Sequence, residues 1–317
     1  MARRRRRRRN NGLWFVLPVF AAFMAVVLPK GLALEEFGVA SEDKKEAQEK
    51  QEDTGQAGVI SEALQKEEGV LTITYLDVGQ ADCTILQWQE YAMLIDAGND
   101  ADAALVLTTL ERLGIEQLDY VIATHSHEDH IGAMDEVLWK IPTECLIYPE
   151  ETSEMAVYLD FLEAAERVEK RLVPHPGEVY ELGALQIQVL APHEGFRDNP
   201  NNASVAVRLV YGENSFVFTG DAEAESEMCM LEFGMELESD VLQAGHHGSS
   251  TSNTEAFLEA VDPVYVIISC EKDNAYGHPH SEVLARLEEM DVQVYRTDTM
   301  GTITLVSDGK NIKISTE

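Results

Sequence analysis

Three histidines and an aspartate fall within six consecutive residues of this chain, His125-Ser126-His127-Glu128-Asp129-His130. Few patterns restrict a fold more, because such side chains converge only where an extended segment ends in a turn. In an extended segment residues i and i+2 project to the same side, so His125 and His127 can grip one ion. Asp129 and His130 then turn the chain towards a second position. Nitrogen and carboxylate donors suit Zn²⁺, with Mn²⁺ or Fe²⁺ as other fits. The apolar run Tyr120–Ala123 ahead of the cluster reads as a short buried strand, and Ile131–Trp139 behind it as a helix. A surface loop rich in histidine by chance is the alternative, and it leaves the strand leading into the cluster unexplained.

Two later segments have the same build. In Phe216-Val217-Phe218-Thr219-Gly220-Asp221 an apolar strand delivers an aspartate after a glycine that permits a sharp turn. Alone, Asp221 would read as a helix cap; beside the histidine cluster it fits a carboxylate bridging two ions. Gly245-His246-His247-Gly248-Ser249 again follows a short apolar strand. One of its histidines can complete the second metal position, while the other orients it or contacts substrate. Tyr276-Gly277-His278-Pro279-His280 reads either as a turn leading into a helix or as the source of a substrate contact at His278.

With Asp77-Val78-Gly79-Gln80-Ala81-Asp82, Ile95-Asp96-Ala97-Gly98 and Asn201-Asn202-Ala203-Ser204 in the same order, these motifs resemble the metallo-β-lactamase superfamily. More narrowly they resemble the hydrolase domain at the C-terminus of the competence protein ComEC/Rec2, over residues 70–317. The resemblance implies an α/β fold, a four-layer αβ/βα sandwich with the metal site at one edge of two sheets. Carried over position by position, His125, His127, Asp129, His130, Asp221 and His246 or His247 become metal ligands, of two zinc ions or of one. Asp77, Asp82 and Asp96 brace them. Many superfamily members carry a further histidine for the first metal where this chain has Asn201 and Asn202, with His193 as an outside candidate. ComEC domains often carry aspartate where this chain has His127. The chain also has one apolar segment rather than a multi-helix channel, so it is not expected to form a translocation pore.

The ligand set implies hydrolysis. A bound ion lowers the pKa of water towards ~7, supplying hydroxide at neutral pH. Asp129 or Asp221 could accept a proton, and His247 or His278 could stabilise the leaving group. A phosphodiester is the preferred substrate, as for the nucleases and phosphodiesterases that the subgroup resembles, with a small cell-surface diester such as a phosphorylcholine ester as the alternative. A non-catalytic binding module of the same fold is the reading from another class.

Charge weighs on the choice of substrate. The chain has 317 residues and a formal net charge of −33. Residues 1–33 hold eight basic groups, Arg3 to Arg9 and Lys30, and no acidic ones, so without them the charge is −41. Such a body repels polyanions at long range, and an anionic substrate needs the metals or a local patch, for which Lys170, Arg171, Arg197 and Arg208 are candidates. The arginine run followed by the apolar stretch Leu13–Pro29 has the layout of a secretory signal or signal-anchor. We therefore expect an extracytoplasmic body, tethered to the membrane by residues 1–33 or secreted after cleavage before Leu34. Residues 34–68, rich in Glu, Gln, Lys, Asp and Ala, read as a disordered acidic linker, and residues 69–317 as the hydrolase domain. Cys83, Cys145, Cys229 and Cys270 lie in or beside apolar runs and read as buried free thiols. No feature of the sequence sets an oligomeric state.

Hydrophobic patterning predicts further strands at Leu71–Leu76, Thr84–Trp88, Tyr91–Ile95, Leu185–Leu190, Ser204–Val210, Ser215–Phe218, Val241–Gln243 and Val264–Ser269. Helices are predicted at Ala101–Leu113, ended by Gly114, and at Ser153–Lys170, Ala222–Phe233 and Ser281–Met290, with a β-rich end from Val292 to Ile314.

Overall fold

Strand β3 (Tyr91–Ile95) shows how the layers arise. Its residues are apolar throughout, and the two-residue period of a strand sends Met93 and Ile95 to one face and Ala92 and Leu94 to the other, all four buried. A strand apolar on both faces must be covered on both. The computed structural model, which describes residues 69–317, supplies both covers. The expected export segment at 1–33 and linker at 34–68 lie outside the described residues.

The other strands are β1 (Leu71–Tyr75), β2 (Thr84–Trp88), β4 (Leu118–Ile122), β5 (Thr143–Ile147), β6 (Lys170–Leu172), β7 (Val179–Leu182), β8 (Leu185–Ala191), β9 (Ala206–Tyr211), β10 (Asn214–Phe218), β11 (Val241–Gln243), β12 (Tyr265–Ile268), β13 (Gln293–Arg296), β14 (Ile303–Ser307) and β15 (Ile312–Thr316). One sheet runs β15-β14-β1-β2-β3-β4-β5-β6, the other β13-β12-β11-β10-β9-β8-β7. Met93, Ile95, Leu71, Ile73 and Tyr75 from the first pack against Val207, Leu209, Phe216 and Phe218 from the second, forming the core between the sheets. Ala92 and Leu94 face outwards onto the helices Ala103–Arg112, Met134–Lys140 and Ala156–Ala165. On the far side, Val217 and Leu242 meet the helices Ala224–Phe233, Glu255–Val261 and Ser281–Glu289. The result is the four-layer αβ/βα sandwich that the resemblance implies.

Several elements depart from the sequence reading. The helix predicted at Ser153–Lys170 occupies only Ala156–Ala165, because Lys170 joins β6 and pairs in parallel with Cys145 of β5. The edge of β5 offers that strand its backbone partners, a tertiary effect that overrides local helix preference. β5 itself escaped prediction because only Cys145–Ile147 of it are buried. β7 escaped because it is an edge strand with exposed Val179 and Glu181. The helix predicted at Ile131–Trp139 is instead two short ones, Glu128–Ile131 and Met134–Lys140. Among the described residues, no helix is long and apolar enough to cross a membrane.

Strand direction gathers the motifs. β3, β4 and β5 are parallel, as are β10, β11 and β12. β1 is antiparallel to β2 and β2 to β3, so β1 runs with β3. All but one of the predicted motifs begin where one of these strands ends: Asp77 after β1, Asp96 after β3, His125 after β4, Asp221 after β10, His246 after β11 and His278 beyond β12. The motif at residues 201–204 instead precedes β9, which is antiparallel to β10. The motifs at strand ends therefore meet along one edge of the sandwich.

Candidate metal centre

Asp221 stands at the middle of this edge. Gly220 delivers it with φ +51°, and a Cβ there would lie 2.8 Å from that of Thr124, so only glycine fits the turn. The carboxylate is almost fully buried, and its two oxygens face different histidines. Oδ1 lies 3.2 Å from His130 Nε2 and 4.0 Å from His247 Nε2. Oδ2 lies 3.4 Å from His246 Nε2 and 3.7 Å from His125 Nε2. Potential ligand atoms of His125, His127 and Asp221 lie within 4.8 Å of one another, and so do those of Asp129, His130 and His247.

Hydrogen bonds on the outer sides of the rings decide where the lone pairs point. His130 Nδ1–H donates to Asp96 Oδ2 at 2.8 Å. Asp96 also accepts from the backbone N–H and the hydroxyl of Thr124, at 2.8 and 2.7 Å. With its proton given to Asp96, the Thr124 hydroxyl can accept from His125 Nδ1 at 3.1 Å. His247 Nδ1–H donates to the Ser269 carbonyl at 3.0 Å. In each case Nδ1 holds the proton outside, and Nε2 turns a lone pair inwards, the usual support for a metal-bound histidine.

The interior of the cluster suits cations. His130 Nε2 and Asp221 Oδ1 are buried without a hydrogen-bond partner, their 3.2 Å contact being misaligned for one. His125 Nε2 and His127 Nδ1 stand 3.0 Å apart, close to the ~3.3 Å separating two nitrogens on one tetrahedral zinc ion. Burial, and then the charge of His130, drives the His125 imidazole well below its ordinary pKa. Burial acts downwards on His130 too, but Asp221, Asp129 and Asp96 outweigh it and raise that ring well above 6.5. His247 is pushed up to about 9, Asp82 and Asp129 overcoming its burial. Four carboxylates around these rings, Asp82, Asp96, Asp129 and Asp221, call for positive charge, which divalent ions supply without protons.

The other predicted residues divide. Asp82 is buried, with Oδ1 3.6 Å from His247 Nδ1, and its N–H donates to the Asp129 carbonyl. Asp77 is exposed and takes no part in the histidine–aspartate cluster; it accepts from Gly79 N–H and shapes the turn before Gln80. Asn202 accepts from the N–H groups of Glu223 and Ser226, and Asn201 donates to Glu223 Oε1. His193 packs against Phe233 in a separate groove. Among the described residues, the cleft at this edge, about 340 Å³, is lined by Gln80, His127, Glu128, Asp129, Asp221, His246, His247, Tyr276 and His278; none is a lysine or arginine, so the expected cationic patch does not form there. Arg197 is paired with Glu150, Arg208 bonds Gln188, Ser239 and the Glu238 carbonyl, Arg171 bonds the Ala165 carbonyl, and Lys170 lies over the Tyr120 ring. All four cysteines are free, three buried and Cys229 half-buried.

Gln80 is a site residue the sequence reading passed over, although it lies inside a quoted motif. Its Oε1 accepts from the backbone N–H of Glu271 at 3.2 Å, so its NH₂ must face His278 Nδ1, 3.3 Å away. That leaves the His278 proton on Nε2. Burial and the neighbouring His247, His246 and His280 lower this ring to about 4, so it is a neutral donor at pH 7. Ser204 was passed over too: its hydroxyl accepts from Asp221 N–H and lies 3.4 Å from His125 Nδ1.

The family profile of the Metallo-beta-lactamase superfamily matches residues 76–271. ComE operon protein 3 of Bacillus subtilis is 31% identical over 73% of the chain, and Recombination protein 2 of Haemophilus influenzae 33% identical over 72%. Competence protein ComA of Neisseria gonorrhoeae is 29% identical over 91%. The alignments cover 32%, 28% and 38% of those proteins, so the chain spans about a third of the length of the curated relatives it matches. Among solved structures, the metallo-beta-lactamase fold protein YhfI from Bacillus subtilis superposes with a TM-score of 0.50 at 15% identity, covering 75% of this chain and all of that one. That last likeness concerns the fold alone.

Proposed function

The chain belongs to the metallo-beta-lactamase superfamily, in its ComEC/Rec2-like subgroup, and from that premise we propose that it is an extracytoplasmic metal-dependent phosphodiesterase. The observation that carries the reading is Asp221, whose two oxygens face two separate sets of histidines at the mouth of one cleft. In this reading His125, His127 and Asp221 would hold one zinc ion, and Asp129, His130, His247 and Asp221 would hold a second. When bound, the pair acts as Lewis acid on the ester and on water, which suits in-line displacement at phosphorus.

The chain's own groups supply the rest. Asp129 is the carboxylate for moving a proton at the cleft, since its side chain is 31% exposed while that of Asp221 is 2% exposed. His278, held by Gln80 with its proton on Nε2, donates a hydrogen bond to the departing oxygen. His247 is less suited to that step because its Nδ1–H is committed to Ser269. Tyr276, stacked on His278 with centroids 5.6 Å apart, covers one side of the cleft. The membrane or secretory placement rests on the arginine run and apolar stretch within residues 1–33.

A second reading narrows the substrate to a small cell-surface diester rather than DNA. Two observations favour it: a cleft of about 340 Å³ with no lysine or arginine among the described residues that line it, and the −41 charge that remains once residues 1–33 are set aside. The test is to load the purified full chain with zinc or manganese and assay it on single-stranded DNA and on bis(p-nitrophenyl) phosphate. Metal-dependent turnover of either supports the phosphodiesterase reading, and turnover of the small ester alone supports the narrower one. Full metal occupancy with no hydrolysis of either would overturn both in favour of a binding module.

A further inference from the structure

The two sides of Asp221 are unequally furnished. On the Oδ1 side stand Asp129, His130 and His247, which with Asp221 make four donors. On the Oδ2 side the tight group holds only His125 and His127, which with Asp221 make three. Zinc sites are tetrahedral, with three or four protein ligands, and one more ring faces Oδ2. His246 Nε2 lies 3.4 Å from it, nearer than His125 Nε2 at 3.7 Å.

The ring of His246 is oriented as a ligand's would be. Its Nδ1 lies on the outer side, 3.2 Å from Thr251 Oγ1 and 3.7 Å from Glu223 Oε1. Donation of Nδ1–H there leaves the Nε2 lone pair pointing at Asp221 Oδ2. Glu223 is itself held, its N–H by Asn202 and its carboxylate by Asn201. The two asparagines thus fix the acidic group that braces His246.

The backbone gives a second, independent reason. His246 and His247 both adopt left-handed conformations, φ/ψ 52°/47° and 53°/28°. Each costs about 1–3 kcal/mol and persists only where its surroundings over-determine it. Here they do: His246 N–H donates to the Gly220 carbonyl, Asn253 brackets Gly245 through both its backbone groups, and Gly248 packs against Pro279. The outcome of this turn is that consecutive rings straddle one carboxylate, His246 at Oδ2 and His247 at Oδ1.

We propose that His246 is a ligand of the first ion, the one held by His125 and His127, and not an alternative to His247 at the second. The proposal rests on the binuclear reading above. It is tested by zinc content and chelator competition on the purified full chain. The wild type should hold about two zinc ions per chain. His246→Ala should weaken one of them roughly 100-fold or more, beyond the effect of losing a mere supporting group. Added to His127→Ala, it should remove no further zinc; added to His247→Ala, it should leave none. A His246→Ala chain that keeps both ions at unchanged affinity overturns the proposal, as does a His246→Ala/His247→Ala chain that keeps one. Either result leaves the metal-dependent reading standing, whereas a wild type that binds no zinc removes both. Should His246→Ala fail to fold, Glu223→Gln with Thr251→Val keeps the ring and removes its outer partners. The first ion should then weaken about 10–100-fold with the second unchanged, and equal weakening of both overturns the proposal.

Discussion

Glu151 sits behind the histidine loop, where Ser126 N–H donates to its Oε1 at 3.1 Å and its Oε2 is buried without a partner. Burial pushes this carboxyl from 4.5 up to about 7, against the opposing hydrogen bonds from Ser126. A proton held more tightly in the folded chain stabilises it below the unfolded value, and the contribution fades as pH rises through about 7. At pH 8 the chain therefore carries a buried carboxylate at a cost on the order of 1–3 kcal/mol. Glu151→Gln keeps the Oε1 acceptor and removes the charge, so it should raise the melting temperature at pH 8 and change it little at pH 5. Equal shifts at the two pH values would reject the account. Asp96→Asn probes the other support. Asparagine tolerates the φ of +56° there, but cannot accept from Thr124 and His130 as the carboxylate does. Zinc affinity should fall about 10–100-fold with the circular dichroism spectrum retained; unchanged affinity would mean that Asp96 serves folding alone. At this scale the clustered residues that could hold a metal were legible because i, i+2 spacing is local. Their supports were not: Ser204 reaches His125 across 79 residues and Gln80 reaches His278 across 198, and no spacing rule spans such distances.

Elements were legible where burial is regular, as in β2 and β3, whose predicted bounds match the observed ones. They were not where another segment intervenes. The single helix predicted at Ile131–Trp139 breaks around Gly132 because the chain there runs against Asn99 and Asp100. A Cβ at Gly132 would lie 2.2 Å from Asp100 N and 2.4 Å from Asn99 C. Both neighbours are backbone and cannot yield as a flexible side chain would. Gly132→Ala should destabilise by about 3 kcal/mol, seen as a lower urea midpoint at unchanged slope. A loss under about 0.5 kcal/mol would show that the backbone of Asn99 and Asp100 can shift to make room.

For the whole molecule, the motifs in their order, through the resemblance they carry, anticipated the sandwich and the edge where these residues gather; strands running the same way deliver their ends to that edge. The cationic patch was not legible, because sequence counts charges without saying where they face. Its absence gives the charge a testable consequence. With −41 outside residues 1–33 and no lysine or arginine in the cleft lining, approach of a polyanion is opposed over a Debye length of ~30 Å at 0.01 M salt but only ~10 Å at 0.1 M. A nuclease that neutralises phosphates loses affinity as salt rises. This chain should do the reverse: its kcat/KM on long single-stranded DNA should climb on the order of tenfold between those salt concentrations as repulsion is screened. On bis(p-nitrophenyl) phosphate, with one charge and little long-range repulsion, the change should stay within about twofold. If activity on DNA instead falls with salt, a cationic track engages the strand, and the arginines of residues 1–33 become its first candidates. That outcome would set aside the narrower small-diester reading in favour of nucleic acid.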